Sequence, residues 1–161
     1  MWSLLVFISQ LMPTNHDFSG HVLRVIDGDT VIVSNPAGER KNIRFACIDA
    51  PEMKQGLWGI QSKAFLQREL QPGDNVRVKV KDVDRYGRLV AEVEERDRNV
   101  NLAIVRNGYA AVYIDYLSSC PEYVTEYKDL ELYAKENKIG MWKDTNLQLP
   151  WEWRKEQRDA R

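Results

Sequence analysis

Apolar residues alternate with polar ones through much of the first two thirds of the chain and then recur at helical spacing, a pattern that predicts strands first and helices last. Residues 20–33 (GHVLRVIDGDTVIV) set β-branched residues on either side of an Asp-Gly pair, a strong hairpin signal. Asn35-Pro36-Ala37-Gly38 reads as a second turn, and residues 42–48 (NIRFACI) predict a third strand that Pro51 stops. Residues 75–81 (NVRVKVK) alternate strictly, with Val76, Val78 and Val80 facing inward and Arg77, Lys79 and Lys81 forming a solvated face. A hairpin turn over 82–87 leads into a return strand over 88–94.

The helical stretches carry a different period. Ile60, Ala64, Phe65 and Leu70 stand among polar residues over 58–70, which predicts a helix packed on one side. A short helix over 100–107 closes at Asn107-Gly108. Another begins at Pro121, the favoured first helical position, carries Tyr123, Tyr127, Leu130 and Ala134 along one stripe, and ends by Gly140. From Pro150 the chain is polar with mixed charges, and Trp151 and Trp153 are its only large apolar groups, so residues 146–161 read as a tail. The order of elements predicts an α+β chain: a small antiparallel barrel of the oligonucleotide-binding type, decorated by helices.

Length and composition narrow this picture. With 161 residues, 43% apolar and 29% charged, the chain has the size and balance of one globular domain. Its formal charge of −1 removes the broad basic footprint of a protein that coats nucleic acid, so any phosphate chemistry must come from locally placed charges. The apolar run MWSLLVFISQLM is too short to span a bilayer and has the length of a signal-peptide core. A basic flank and a small-residue cleavage site are absent, so an N-terminal strand or an added leader stays open beside the export reading. Residues 1–15 are therefore set apart as a leader, and the mature protein is expected in a secreted or periplasmic compartment, as a monomer with no membrane contact. Cys47 and Cys120 could pair there, although Cys47 in an apolar strand reads more simply as a small buried thiol.

Three segments carry candidate chemistry. Asp27-Gly28-Asp29-Thr30 sets two carboxylates at i and i+2 about a glycine, and hard cations such as calcium want clustered oxygens; Asp-Gly is equally an everyday turn. Arg44 stands inside an apolar strand, where a guanidinium needs a partner, and Asp49 and Glu52 follow it. Strict alternation sets Arg44 and Asp49 on opposite faces, so a shared site requires the strand to end or bulge between them; the plain alternative is an Arg–carboxylate pair that fixes a loop. Asp84-Arg85-Tyr86-Gly87-Arg88 is either a solvated hairpin tip or a phosphate grip, because arginine forks match phosphate oxygens and tyrosine stacks on bases. Jointly the segments offer two aspartates for a cation, a glutamate to activate water and two arginines for phosphoryl charge.

The order IDGDT, IRFACIDAPE, DRYGR, NLAIVRNGYA and GMW, spanning residues 18–142, resembles the staphylococcal, thermonuclease-type nuclease family. The resemblance implies a five-stranded oligonucleotide-binding barrel with three helices, filling a nuclease domain over 16–145. It implies calcium-dependent cleavage of DNA and RNA, both endonucleolytic and exonucleolytic, leaving 3′-phosphates. By matched position Asp29 and Asp49 would bind calcium through their carboxylates and Ala50 through its carbonyl. Asp27 would be a neighbour of the metal. Glu52 would be the general base, Arg44 and Arg88 would grip the scissile phosphate, and Arg85, Tyr86 and Tyr116 would contact the bound nucleotide.

The chain also departs from the family. Ala50 replaces a threonine of the best-known member, the loop after Glu52 is shorter, and the near-neutral charge predicts weaker non-specific capture of long DNA. A catalytically silent barrel serving as a binding module is the alternative, and the survival of Asp29, Arg44, Asp49, Glu52 and Arg88 argues against it. Val22, Val25, Val31, Ile43 and Phe45 are expected in the core, and Trp142 is expected to dock the last predicted helix. Two of Tyr109, Tyr113 and Tyr116 are expected to be structural.

Overall fold

The computed structural model describes residues 16–161, so the reading of residues 1–15 as a leader lies outside the described residues. Strand β1 (Phe18–Asp27) turns at Gly28-Asp29 into β2 (Thr30–Ser34), and β3 (Arg40–Phe45) follows antiparallel to β2. After β4 (Ile48–Asp49) and helix α1 (Leu57–Glu69), β5 (Asn75–Val83) and β6 (Leu89–Glu95) form a second hairpin. Register shifts at Val22/Arg24 and Val25/Asp27 bend β1, and a bent strand can serve two neighbours, β2 and β5. Parallel pairing of β3 with β6, Ile43 opposite Leu89, then closes a five-stranded barrel.

Inward positions fill that barrel. Val22, Val31, Val33, Ile43, Phe45, Val76, Val78, Ala91 and Val93 are each at most 2% exposed, and Val25 is buried beside them. Each buried valine, isoleucine or phenylalanine contributes about 1.5–3 kcal/mol relative to exposure. Short strand β7 (Arg98–Asn99) leads into α2 (Val100–Arg106), whose N-terminus is capped by the Asn99 side chain accepting from the Leu102 amide. Strand β8 (Ala111–Val112) pairs with β4, and α3 (Val124–Glu136) packs on α2. Pro121 opens a 3-10 turn just before α3, and Tyr127 and Ala134 are the buried members of the predicted stripe. Trp142 lies against α3 beneath the Lys135 ammonium, 4.6 Å from its ring.

Several expectations change. Ile60 is exposed; α1 buries Phe65 as expected, together with Gly59, Ser62 and Leu66. Ser62 is inside because its hydroxyl donates to the Tyr109 carbonyl at 2.7 Å, a reason that hydrophobic periodicity does not register. Lys79 and Lys81 are not a freely solvated face: Lys79 pairs with Glu94, and Lys81 lies 3.2 Å from the fully buried Glu92. Glu92 also accepts from Tyr127 Oη (2.8 Å) and Asn99 Nδ2 (2.9 Å). Cys47 is not a free thiol in a strand but sits in the turn between β3 and β4, joined to Cys120 by a disulfide with a Cα separation of 6.5 Å. The polar tail forms a fourth helix, α4 (Pro150–Asp159). Among the described residues no helix is long and apolar enough to cross a membrane.

Candidate active site

The site is assembled where the β1–β2 turn meets the end of β3. Gly28 is needed there for space: a Cβ on it would stand 2.7 Å from Ser62 Cβ and 2.8 Å from Ala50 Cβ. The turn therefore lies flat against α1 and the chain around Ala50. Asp29 is held by that contact, its Oδ2 accepting from the Ala50 amide at 2.7 Å and its Oδ1 from the Thr30 hydroxyl at 3.3 Å. Gly59 performs the same service for Glu52, whose carbonyl oxygen would be 2.0 Å from a Cβ at position 59. The Glu52 amide in turn donates to Gln55 Oε1.

Arg44 and Asp49 do meet. The strand ends at Phe45, and Cys47 takes a left-handed conformation (φ 67°) that reverses the alternation before β4 begins. Arg44 Nη2 donates to Asp49 Oδ1 at 2.9 Å, and Nη1 lies 3.2 Å from Asp29 Oδ2 while donating to the Phe45 and Ile48 carbonyls. One guanidinium thus joins both aspartates in a buried place, Asp49 being 1% exposed and Asp29 6%. Such a pair is held by its extra hydrogen bonds, since burial of each charge alone would be costly.

The electrostatics show a site crowded with negative charge. Asp27, whose Oδ1 accepts from the Asp29 amide, is pushed up to about 6 by burial and by the Asp29 carboxylate. Burial also raises Asp49 above the usual carboxylate range, reinforced by the Asp29 charge and opposed by hydrogen bonds from arginine. Asp29 and Asp49 offer only oxygen, and a hard cation would relieve the repulsion between such carboxylates. Among the described residues no three His, Cys, Asp or Glu side chains come together at metal-binding separations.

A residue that the chain pattern did not single out also enters. Arg154 of α4 donates from Nη2 to Asp49 Oδ2 at 2.6 Å and from Nη1 to Asp49 Oδ1 at 3.1 Å and Glu52 Oε1 at 2.8 Å. Trp151, one turn earlier, stacks on Tyr113 with ring centroids 5.1 Å apart and planes 10° from parallel. The signal was present in Pro150 at a helix start with Trp151 and Arg154 at i, i+3, which puts both on one face.

The remaining candidates form two groups apart from the acids. Arg88 is held by Asp84, which accepts from Arg88 Nε at 2.7 Å and from its amide at 3.0 Å. Val90 is the register partner of Arg44, and Arg88 lies just before the start of β6. Arg85 lies over the exposed Tyr86 ring at 4.9 Å and donates to its hydroxyl. Tyr116 is exposed and meets Tyr113 edge-on at 4.8 Å, while Tyr109 stacks on Phe65.

Residues 42–144 match the family described as staphylococcal nuclease homologue. The chain is 34% identical over 159 residues to a protein named micrococcal nuclease from Shigella flexneri, covering 92% of this chain and 87% of that one. It is 36% identical over 154 residues to a protein named uncharacterized endonuclease from Escherichia coli, covering 94% of each. It is 33% identical over 153 residues to endonuclease YhcR of Bacillus subtilis (strain 168), covering 86% of this chain but only 13% of that larger protein.

Proposed function

The chain belongs to the staphylococcal nuclease family, and we propose that it is a calcium-dependent nuclease that hydrolyses phosphodiester bonds of DNA and RNA to leave 3′-phosphate ends. The observation that carries this reading is Arg44 lying between Asp29 and Asp49, 3.2 Å and 2.9 Å away, with Glu52 within reach of the same cluster through Arg154. Calcium, held by Asp29, Asp49 and the Ala50 carbonyl, would supply Lewis-acid polarisation of the phosphate.

The chain's own groups then have distinct roles. Glu52, with its side chain 37% exposed, reaches solvent and takes a proton from the attacking water. The water oxygen bonds to phosphorus as the bond to the 5′ oxygen breaks, and the leaving 5′ oxygen takes a proton from solvent, giving a 3′-phosphate and a 5′-hydroxyl. Arg44 and Arg88 hold the non-bridging oxygens, where forked donors match the geometry and charge develops in the transition state. Arg85, Tyr86 and Tyr116 bind the nucleotide, the tyrosines offering faces for a base. The Cys47–Cys120 disulfide supports a secreted or periplasmic setting, since such bonds persist in oxidising compartments.

The test is incubation with single-stranded DNA, double-stranded DNA and RNA, with calcium or a chelator, followed by identification of the product ends. Calcium-dependent products ending in 3′-phosphate are expected. Cleavage that survives chelation overturns the metal assignment, and 5′-phosphate ends overturn the assigned leaving group.

A further inference from the structure

The chain after Asp144 is fastened to α1, the Glu52 loop, β4 and the segment after β8. Trp58 Nε1 donates to Asp144 Oδ2 at 2.9 Å, and Gln55 Nε2 donates to the Gln148 carbonyl at 2.6 Å. Trp151 stacks on Tyr113, and Arg154 reaches Asp49 and Glu52. The segment closes its own helical end: the Leu149 amide donates to Glu152, and Gln148 donates to Glu156. It can therefore lift away without leaving its first turn uncapped.

Arg154 engages both oxygens of Asp49 and one of Glu52 with a single guanidinium. A hard cation needs those carboxylate lone pairs directed at itself, not at an N–H. Its two positive charges would also stand beside that of Arg154 as well as that of Arg44, where the near-complete burial of Asp49 leaves little solvent to screen them. Meanwhile the Trp151 indole covers one face of Tyr113, the neighbour of the exposed Tyr116. One helix thus holds a cation surrogate on the acids and an aromatic plate on the adjacent ring.

We propose that α4 is an autoinhibitory latch: Arg154 closes the acid cluster in the resting chain, and a divalent cation must displace it, with its helix, before Asp49 and Glu52 are free. This rests on the calcium-dependent reading of the same site. Affinity for the cation is then lowered by the fraction of chains in which the latch is open, so a latch closed nine times in ten weakens apparent binding about tenfold.

Calcium alone is titrated calorimetrically into the full chain, Arg154→Ala and Trp151→Ala, with amide hydrogen exchange followed in parallel. Arg154→Ala is expected to bind calcium about tenfold more tightly. Trp151→Ala keeps every acid and arginine and should shift affinity in the same direction by a smaller factor, which keeps the test decisive if Arg154→Ala fails to fold. In the parent chain, calcium should speed exchange in α4 while leaving the barrel amides unchanged. Measurable but equal or weaker binding by the variants, or an α4 whose exchange ignores saturating calcium, overturns the latch and leaves the calcium reading standing. No calcium binding by the parent or by either variant overturns the calcium reading, and the latch with it.

Discussion

Arg44 Nη2 and Asp49 Oδ1 lie 2.9 Å apart, although strand alternation alone would turn these side chains to opposite faces. What unites them is the left-handed turn at Cys47, a conformation that a residue bearing a Cβ adopts only where its surroundings hold it there. The disulfide to Cys120 supplies one such hold, tying the turn to the segment after β8.

Reduction of that disulfide is expected to lower stability by about 2–5 kcal/mol, because 73 residues of separation make the closed loop long. Urea denaturation with and without reductant measures the difference. Coincident midpoints would show that the bond constrains nothing.

Removing a proposed metal ligand should separate binding from folding. Asp29→Asn removes the charge but keeps an acceptor for the Ala50 amide, so calcium binding should vanish while circular dichroism stays that of the parent and the unfolding midpoint falls only by the loss of the Arg44 pairing. Unchanged calcium affinity in this variant would place the ion elsewhere.

If Arg88 acts on transition-state charge as proposed, Arg88→Ala is expected to lower turnover by about 10²–10³-fold. Arg88→Lys should recover little, because a single ammonium does not reproduce the fork. Glu52→Gln should lose turnover with substrate binding retained; a variant as fast as the parent would remove the general-base role.

Asp84 anchors Arg88, and its ionisation gives the anchoring a pH dependence. Burial alone would raise its pKa, but donation from the Arg88 guanidinium and from the Arg88 and Tyr86 amides prevails and holds it below the ordinary 3.8. A carboxyl depressed in the folded state contributes its stability fully above the ordinary value and loses it as pH falls through the depressed one. Asp84→Asn should therefore cost about 1 kcal/mol at neutral pH, with the gap to the parent closing below the usual carboxylate range. Unfolding midpoints measured from pH 7 to pH 3 would show it, and a gap independent of pH would argue against the pairing.

Tyr127→Phe offers a control far from the acids. The buried phenol donates to Glu92, and burial together with that carboxylate raises its pKa, so it stays neutral. Loss of the hydroxyl leaves Glu92 Oε1 with Asn99 alone and should cost about 1–3 kcal/mol without altering calcium binding. Equal stability would mean that the network contributes nothing net.

The chain by itself determined the succession of the main strands along it, the two hairpins and the three helices of the barrel domain, because each depends on period, turn residues and caps lying within a few positions of one another. It also carried the acids and arginines of the site in their order. Only the tertiary structure decided which residues face each other. Ser62 and Gly59 are buried by a hydrogen bond and a close backbone approach, and Ile60 is left outside, none of which apolar periodicity can register. Cys47 and Cys120 are far apart in sequence, and Arg154 meets Asp49 across 105 residues, in a segment whose composition reads as a polar tail. Its partners there are carboxylates and an aromatic ring, so the segment packs through charge and stacking and carries no long apolar stripe to announce it.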